Sequence, residues 1–259
     1  MKQDELEGYG IALVDRSKSR LFVASLGKIE EFAGPKADDK RVRHVKATGS
    51  DRAESSKRMQ TKADNQIRKN LRGVVKAIES LVKKRKLQRL ALAGTPEITA
   101  ELRSLLPVRL GLNVIGIIDL SLKATVAEVL KQAAPVAAKF ERETEAAKVN
   151  TIVTSAAKNG KAVVGLGHTL KAVNTDRVWE LVYADGFLSP GYECAKCSAL
   201  FSTRVNRCTY CSAKIQPVTD VVERAVEHAI RKNAKIEVVT GKASTALKTA
   251  GSIGALLRL

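Results

Sequence analysis

The sequence predicts an α/β protein built as two three-layer α/β domains, the second carrying a cysteine-rich insert. Three observations predict it. Short aliphatic runs suited to buried strands alternate with longer segments whose apolar residues recur at helical spacing. Aromatic residues make up only 4% of the 259 residues, so the core is aliphatic, which suits strands covered by helices better than a platform for stacking bases. Finally, all four cysteines fall in two tight pairs in the second half of the chain.

The opening reads as a hairpin, with strands at residues 9–14 and 20–25 joined by the turn Asp15-Arg16-Ser17-Lys18-Ser19, and a third strand over 27–32 completes a meander. Residues 33–50 turn loop-like, punctuated by Gly34-Pro35 and Thr48-Gly49-Ser50. A long helix is expected over 50–86. Ile67, Leu71, Val74, Val75, Ile78, Leu81 and Val82 recur at steps of three and four and make one apolar stripe on a basic rod. The first part of that helix, 51–66, has almost no apolar side chain and is expected to project. Next come a strand at 87–93, a turn opening a helix at Pro96, a strand at 113–119 and a helix at 124–150 that ends the first domain, 1–148.

The second domain, 149–259, is expected to run helix 151–159, strand 162–165, helix 169–174 and strand 178–183. After the insert come helix 220–232, strand 235–239, helix 243–250 and a closing strand 253–258. The longest apolar runs are far below the roughly 20 residues of a membrane span, and the charged start is no signal peptide. These features point to the cytoplasm, where paired cysteines serve metal sites more often than disulfides.

Cys194-Ala195-Lys196-Cys197 and Cys208-Thr209-Tyr210-Cys211 are two Cys-x-x-Cys knuckles ten residues apart, within an expected ribbon at 186–217. Two such knuckles close a tetrahedron of thiolates around one Zn2+. With no fifth cysteine and no open position, the zinc is structural, and Cys194, Cys197, Cys208 and Cys211 are its ligands. Lys196, Arg204 and Arg207 lie close in sequence and offset the anionic centre. His44, His168 and His228 are scattered and read as structural.

The formal net charge is +18, and it is concentrated. Between Lys36 and Arg89, 18 Lys and Arg face 6 Asp and Glu, a local excess of +12 in about one fifth of the chain. A field of one sign costs self-repulsion that a polyanion relieves, which points to nucleic acid. Lys57, Arg58, Lys62, Arg68, Lys69, Arg72 and Lys76 lie on the long helix, and positions 58, 62, 69, 72 and 76 advance by three, four or seven along one flank. With Arg43, Lys46 and Arg52 just before them, they form the candidate RNA-binding set. The glycine string Gly160-x4-Gly165-x-Gly167-His168 lacks the Gly-Lys-Ser/Thr of a P-loop, and no nucleophile–His–acid cluster is visible.

Gly160-Lys161-Ala162-Val163-Val164-Gly165-Leu166, then Leu170-Lys171-Ala172-Val173-Asn174 and Arg177-Val178, resemble the entry to the C-terminal domain of the archaeal and eukaryotic class-1 peptide-chain release factors and their relative Pelota. Thr249-Ala250-Gly251-Ser252-Ile253-Gly254-Ala255-Leu256-Leu257-Arg258 resembles that domain's closing strand, and archaeal members carry a cysteine-rich insert at this place. In the first half, Gly10 to Val23, Arg43-His44-Val45, the basic helix and Leu90-Ala91-Leu92-Ala93-Gly94 resemble the middle domain.

Two departures qualify what the resemblance implies. The family's catalytic loop before the long helix carries Gly-Gly-Gln; here the stretch reads Lys46-Ala47-Thr48-Gly49-Ser50-Asp51-Arg52-Ala53-Glu54, and no Gly-Gly pair occurs anywhere. The sequence also starts at the middle domain, so codon-specific termination is not expected. What the resemblance then implies is a ribosome-binding factor of the A site that does not hydrolyse peptidyl-tRNA. It would act in rescue or hibernation, as Pelota and the bacterial Balon-type factors do, with a translational GTPase of the EF-Tu type as partner. Two alternatives stay open: a peptidyl-tRNA hydrolase using another water-positioning residue such as Gln60, and a free-standing RNA-binding module.

Overall fold

The computed structural model describes residues 8–32, 34–35 and 52–258, with side chains of the long helix described from Thr61 onward. The chain divides into two compact units, Glu5–Phe140 and, in the main, Glu141–Leu259.

The first unit holds strands β1 (Tyr9–Val14), β2 (Ser19–Ser25), β3 (Lys28–Phe32), β4 (Arg89–Ala93) and β5 (Asn113–Ile118) in one sheet ordered β3-β2-β1-β4-β5. The meander β1–β2–β3 is antiparallel, as adjacent strands with short turns must be, whereas β4 and β5 join parallel through helical crossovers. Both faces are buried, and the period-two alternation sorts the side chains between them. Ala12, Val14, Leu90 and Leu92 face helices α1 (Arg52–Arg85) and α2 (Pro96–Leu105). Ile11, Leu13, Ala91 and Ala93 lie in the cluster that Val129, Ala133 and Ala137 of α3 (Val126–Ala157) complete. This is the three-layer arrangement the sequence predicts. Gly94 ends β4 at φ +137°, where a Cβ would collide with the Val14 carbonyl, so only glycine lets β4 leave the sheet there.

Along α1 the expected stripe is the one that packs. Leu71, Val74, Val75, Ile78, Leu81 and Val82 are buried, and Ile67 is half-buried at the edge of the same cluster. Each fully buried aliphatic contributes about 1.5–3 kcal/mol of transfer free energy, so this face alone fixes the helix on the sheet.

The second unit has a four-stranded sheet ordered β11-β7-β12-β6, formed by β6 (Ala162–Val164), β7 (Val178–Ala184), β11 (Lys235–Val239) and β12 (Ile253–Leu257). One face packs on α4 (Leu166–Asn174) and α5 (Val221–Arg231) through Leu170, Val173, Val222 and Ala225. The other face packs on α6 (Gly241–Thr249) and on Val149 and Ile152 of α3.

Separate helices expected at 124–150 and 151–159 are one continuous helix. No glycine or proline falls between Val136 and Asn159, and Val149, Ile152, Val153 and Ala156 keep helical spacing across the expected break. The helix stops where Asn159 turns left-handed at φ +50° and the Gly160 N–H bonds back to the Ser155 carbonyl at 2.7 Å. Its second half is also tied by charge. Lys148 reaches Glu180 at 2.9 Å and Glu237 at 2.8 Å, while Glu145 accepts from the Thr240 N–H at 2.8 Å at the start of α6. No helix among the described residues is long and apolar enough to cross a membrane.

Candidate metal centre and basic helix

Three short strands, β8 (Gly191–Cys194), β9 (Leu200–Phe201) and β10 (Ile215–Val218), form a separate antiparallel sheet ordered β10-β8-β9, which holds the cysteines. The two knuckles are local copies, because the hexapeptide Cys-x-x-Cys-Ser-Ala occurs at 194–199 and again at 208–213. The hydrogen bonds repeat with it. Cys194 N–H donates to the Ala199 carbonyl at 2.9 Å and Cys208 N–H to the Ala213 carbonyl at 3.0 Å. Ser198 N–H returns to the Cys194 carbonyl at 3.0 Å and Ser212 N–H to the Cys208 carbonyl at 2.8 Å, with both serines left-handed near φ +56° and +58°. The backbone N–H of Lys196 points at Cys194 Sγ at 3.5 Å, and that of Tyr210 at Cys208 Sγ at 3.4 Å.

These turns bring all four sulfur atoms within 4.8 Å of one another, with Cys194–Cys211 at 3.4 Å and Cys197–Cys208 at 3.5 Å. Tetrahedral ligation with Zn–S bonds of about 2.3 Å needs sulfur–sulfur separations of about 3.8 Å, so the donor set fits a four-coordinate metal. Electrostatics agree. The Cys197 N–H, aided by that of Lys196, pulls the Cys194 thiol down to about 6 against the effect of burial. Withdrawal of its sulfur from water pushes Cys197 up to about 12, and the three neighbouring thiols push the same way, although the residue as a whole is exposed. Four sulfurs this close cannot all ionise without a cation among them. Among the described residues no histidine or carboxylate joins the cluster. His228 instead lies 3.3 Å from Asp176, His168 is exposed, and His44 lies outside the described residues.

The ribbon is fastened by residues that sequence reading missed. The Asn174 side chain acts as a missing strand neighbour, donating to the Leu200 carbonyl and accepting from its N–H, both at 2.8 Å. Asp220 caps α5 through the Val222 N–H at 3.0 Å and also accepts from the Ser189 N–H at 3.3 Å. Gly191 sits where a Cβ would come within 2.6 Å of Val221 Cβ and 2.8 Å of the Phe201 carbonyl oxygen. Leu200 is buried, so Asn174→Ala strands two backbone groups, at a cost of about 1–3 kcal/mol. Hydrogen exchange of residues 191–201 should accelerate while the amides of β7 and β12 hold; unchanged exchange would mean that Asn174 does not fasten the ribbon.

On α1, Lys62, Lys69, Arg72 and Lys76 are exposed on the side opposite the buried stripe. At 100° per residue, Lys62, Lys69 and Lys76 fall within roughly 40° of one another. Lys62, Arg72 and Lys76 have no carboxylate partner among the described residues. Arg68 lies further round and pairs with Glu101, Nε to Oε1 2.6 Å, an exposed contact of small worth that can open. Arg52, Lys57 and Arg58 belong to the first turns of α1, where the backbone alone is described; Arg43 and Lys46, with the stretch up to Asp51, lie outside the described residues. At the other end, Arg85 is committed to β3, paired with Glu30 at 2.7 Å and 4.9 Å from the centre of the Phe32 ring.

Residues 3–138 match the family described as bacterial archaeo-eukaryotic release factor family 10. No curated protein matches the sequence. Among solved structures, a ribosome-bound archaeal Pelota described together with ABCE1 superposes with a TM-score of 0.60 at 14% identity, covering 96% of this chain and 61% of its own. S. cerevisiae Dom34, a translation termination-like factor involved in RNA quality control pathways and interacting with Hbs1, gives 0.54 at 13% identity, covering 96% and 62%. The chain thus spans about three fifths of the length of these two proteins, and at such identities the likeness is one of fold.

Proposed function

The chain belongs to bacterial archaeo-eukaryotic release factor family 10, and we propose that it is a translation factor that binds the ribosomal A site in rescue or hibernation, without hydrolysing peptidyl-tRNA. The observation that carries this reading is the exposed basic face of α1, set on a fold shared with a Pelota that is itself ribosome-bound. A row of cations with the apolar stripe turned inward can follow a phosphate backbone while the domain stays rigid. In this reading residues 1–148 supply the RNA contacts, through Arg43, Lys46, Arg52, Lys57, Arg58, Lys62, Arg68, Lys69, Arg72 and Lys76. Residues 149–259 dock a translational GTPase of the EF-Tu type, in keeping with the interaction of Dom34 with Hbs1. The metal of the four cysteines is Zn2+ and is structural, and the factor works in the cytoplasm.

Ribosome binding measured across a salt series tests the reading. Each phosphate contact contributes about 0.7–0.9 to the slope of log affinity against log salt. Neutralising Lys62, Arg72 and Lys76 together to Gln should shallow that slope by about 2 to 3. An unchanged slope would remove α1 from the RNA interface. Failure of the unaltered protein to bind ribosomes at low salt would remove the proposed function itself, and a density map of the complex would show whether the A site is the place occupied.

A further inference from the structure

We infer that the metal ribbon is a second RNA-contacting surface, built to stack on an unpaired base and grip its flanking phosphates; this rests on the ribosome-binding reading above. Residues 191–218 contain one acid, Glu193, and it lies 3.8 Å from Arg224 of α5. Against it stand Lys196, Arg204, Arg207 and Lys214, all exposed and none paired with a carboxylate among the described residues.

The knuckle repeat gathers these groups. Lys196 and Tyr210 occupy equivalent positions in the two copies, each giving its backbone N–H to the first sulfur of its own knuckle. The Lys214 carbonyl accepts from the Ala195 N–H at 3.1 Å, which sets Lys214 beside the first knuckle. The Arg207 guanidinium reaches the Ser212 carbonyl at 3.5 Å, across the second. Tyr210 is 49% exposed, and its ring is supported by Phe201 with centroids 6.3 Å apart. An aromatic ring backed by another ring and half in water, on a ribbon with four exposed cations, is the combination on which single-stranded bases stack.

A plainer role for the cations is to offset the negative metal–thiolate centre. The hydrogen bonds that reach sulfur, however, come from the backbone N–H groups of Lys196 and Tyr210, and no Lys or Arg side chain bonds to a sulfur among the described residues. The cations are therefore left to solvent or to a polyanion. Double-stranded RNA hides its base faces, so the fitting target is a loop, bulge or bulged-out base of structured RNA.

The test uses the intact, metal-loaded protein and purified bacterial ribosomes. One variant combines Lys196→Gln, Arg207→Gln and Lys214→Gln; a second is Tyr210→Ala, with Tyr210→Phe as its conservative control. Metal content equal to the unaltered protein certifies that each variant is folded. The charge variant should shallow the salt slope by about 2, Tyr210→Ala should weaken binding about tenfold, and Tyr210→Phe should bind as before. A photo-crosslinking residue at position 210 should attach to ribosomal RNA. If the unaltered protein binds ribosomes and the ribbon variants bind equally well, the inference fails while the proposed function stands. Crosslinking to a ribosomal protein instead of RNA would overturn it by making the partner an acidic polypeptide. Absence of ribosome binding by the unaltered protein would overturn both.

Discussion

Stripping the metal from the purified protein is expected to unravel residues 191–218 and to leave the two α/β sheets folded. The ribbon's own core is three buried residues, Cys194, Ala199 and Cys208, edged by Phe201, Cys211, Ala213 and Ile215. Ordering a backbone costs about 1–2 kcal/mol per residue, which so small an apolar cluster cannot offset over nearly thirty residues. In small metal-folded modules the binding free energy of a structural zinc is itself the folding free energy, so the ion is expected to supply what this cluster lacks. The four-stranded sheet of the second unit has its own two clusters, one under α4 and α5 and one under α6, and neither contains a cysteine. Elemental analysis should find one zinc per chain. After chelation, hydrogen exchange should rise by orders of magnitude across 191–218 and little in β7, β11 and β12. Cys208→Ser should reproduce that pattern without chelator. Protection that survives chelation, or a chain purified without metal and fully protected, would show that the cysteines pack as free thiols and hold no structural ion.

Acid should act in the same direction as the chelator. Metal ligation requires thiolates, so protons compete with the ion and metal retention falls as pH falls. Cys194, lowered to about 6 by the Cys197 N–H, is the last of the strongly shifted sulfurs to take up its proton, and Cys197, raised to about 12, the first. A metal-free ribbon therefore binds protons readily at neutral pH, and reloading the ion must release them.

The parts of this molecule that were legible in its sequence are those specified locally. Lys235–Val239 reads as a strand because Ile236, Val238 and Val239 sit between turn residues, and α1 reads as a helix because its apolar residues keep a 3.6 period from Ile67 to Val82. The gathering of the four cysteines was legible because two knuckles at fixed spacing have few other uses. What escaped is specified at a distance. Nothing near Asn174 announces that its amide will stand in for a strand opposite Leu200, 26 residues away. Around Asn150 the sequence offers only the lack of a breaker and a short run of helical spacing, while the partners that hold Val149 and Ile152, on β6, β7 and α6, lie far along the chain. The placement of β12 between β7 and β6 is a pairing decision made across some 70 to 90 residues. On the basic helix the sequence supplied the flank but could not tell Arg68, drawn to Glu101, from Lys62, which has no such partner among the described residues.

The second large effect is expected where the Gly-Gly-Gln of the class-1 release factors that the sequence resembles is missing. Ribosomes carrying peptidyl-tRNA and an empty A site should release no more peptide with this protein than without it, whereas a Gly-Gly-Gln release factor added in parallel should empty them. Ester hydrolysis needs a water held in line with the carbonyl, and a group that positions or deprotonates it typically supplies a factor of 10² to 10⁴, about 3–5 kcal/mol of barrier. Two adjacent glycines let a backbone approach the ester without a Cβ in the way, and this chain has no such pair. Its counterpart stretch is Lys46 to Glu54, of which residues 46–51 lie outside the described residues and Arg52 opens α1. The nearby glutamines sit further along that helix. Gln66 is half-buried and gives its amide to Asn70 Oδ1 at 3.2 Å, which leaves Gln60 as the side chain to test. Release at a rate near that of the control factor would defeat the non-hydrolytic reading. If Gln60→Ala then abolished it with ribosome binding intact, Gln60 would be the water-positioning residue; if Gln60→Ala left it unchanged, another residue would have to hold the water.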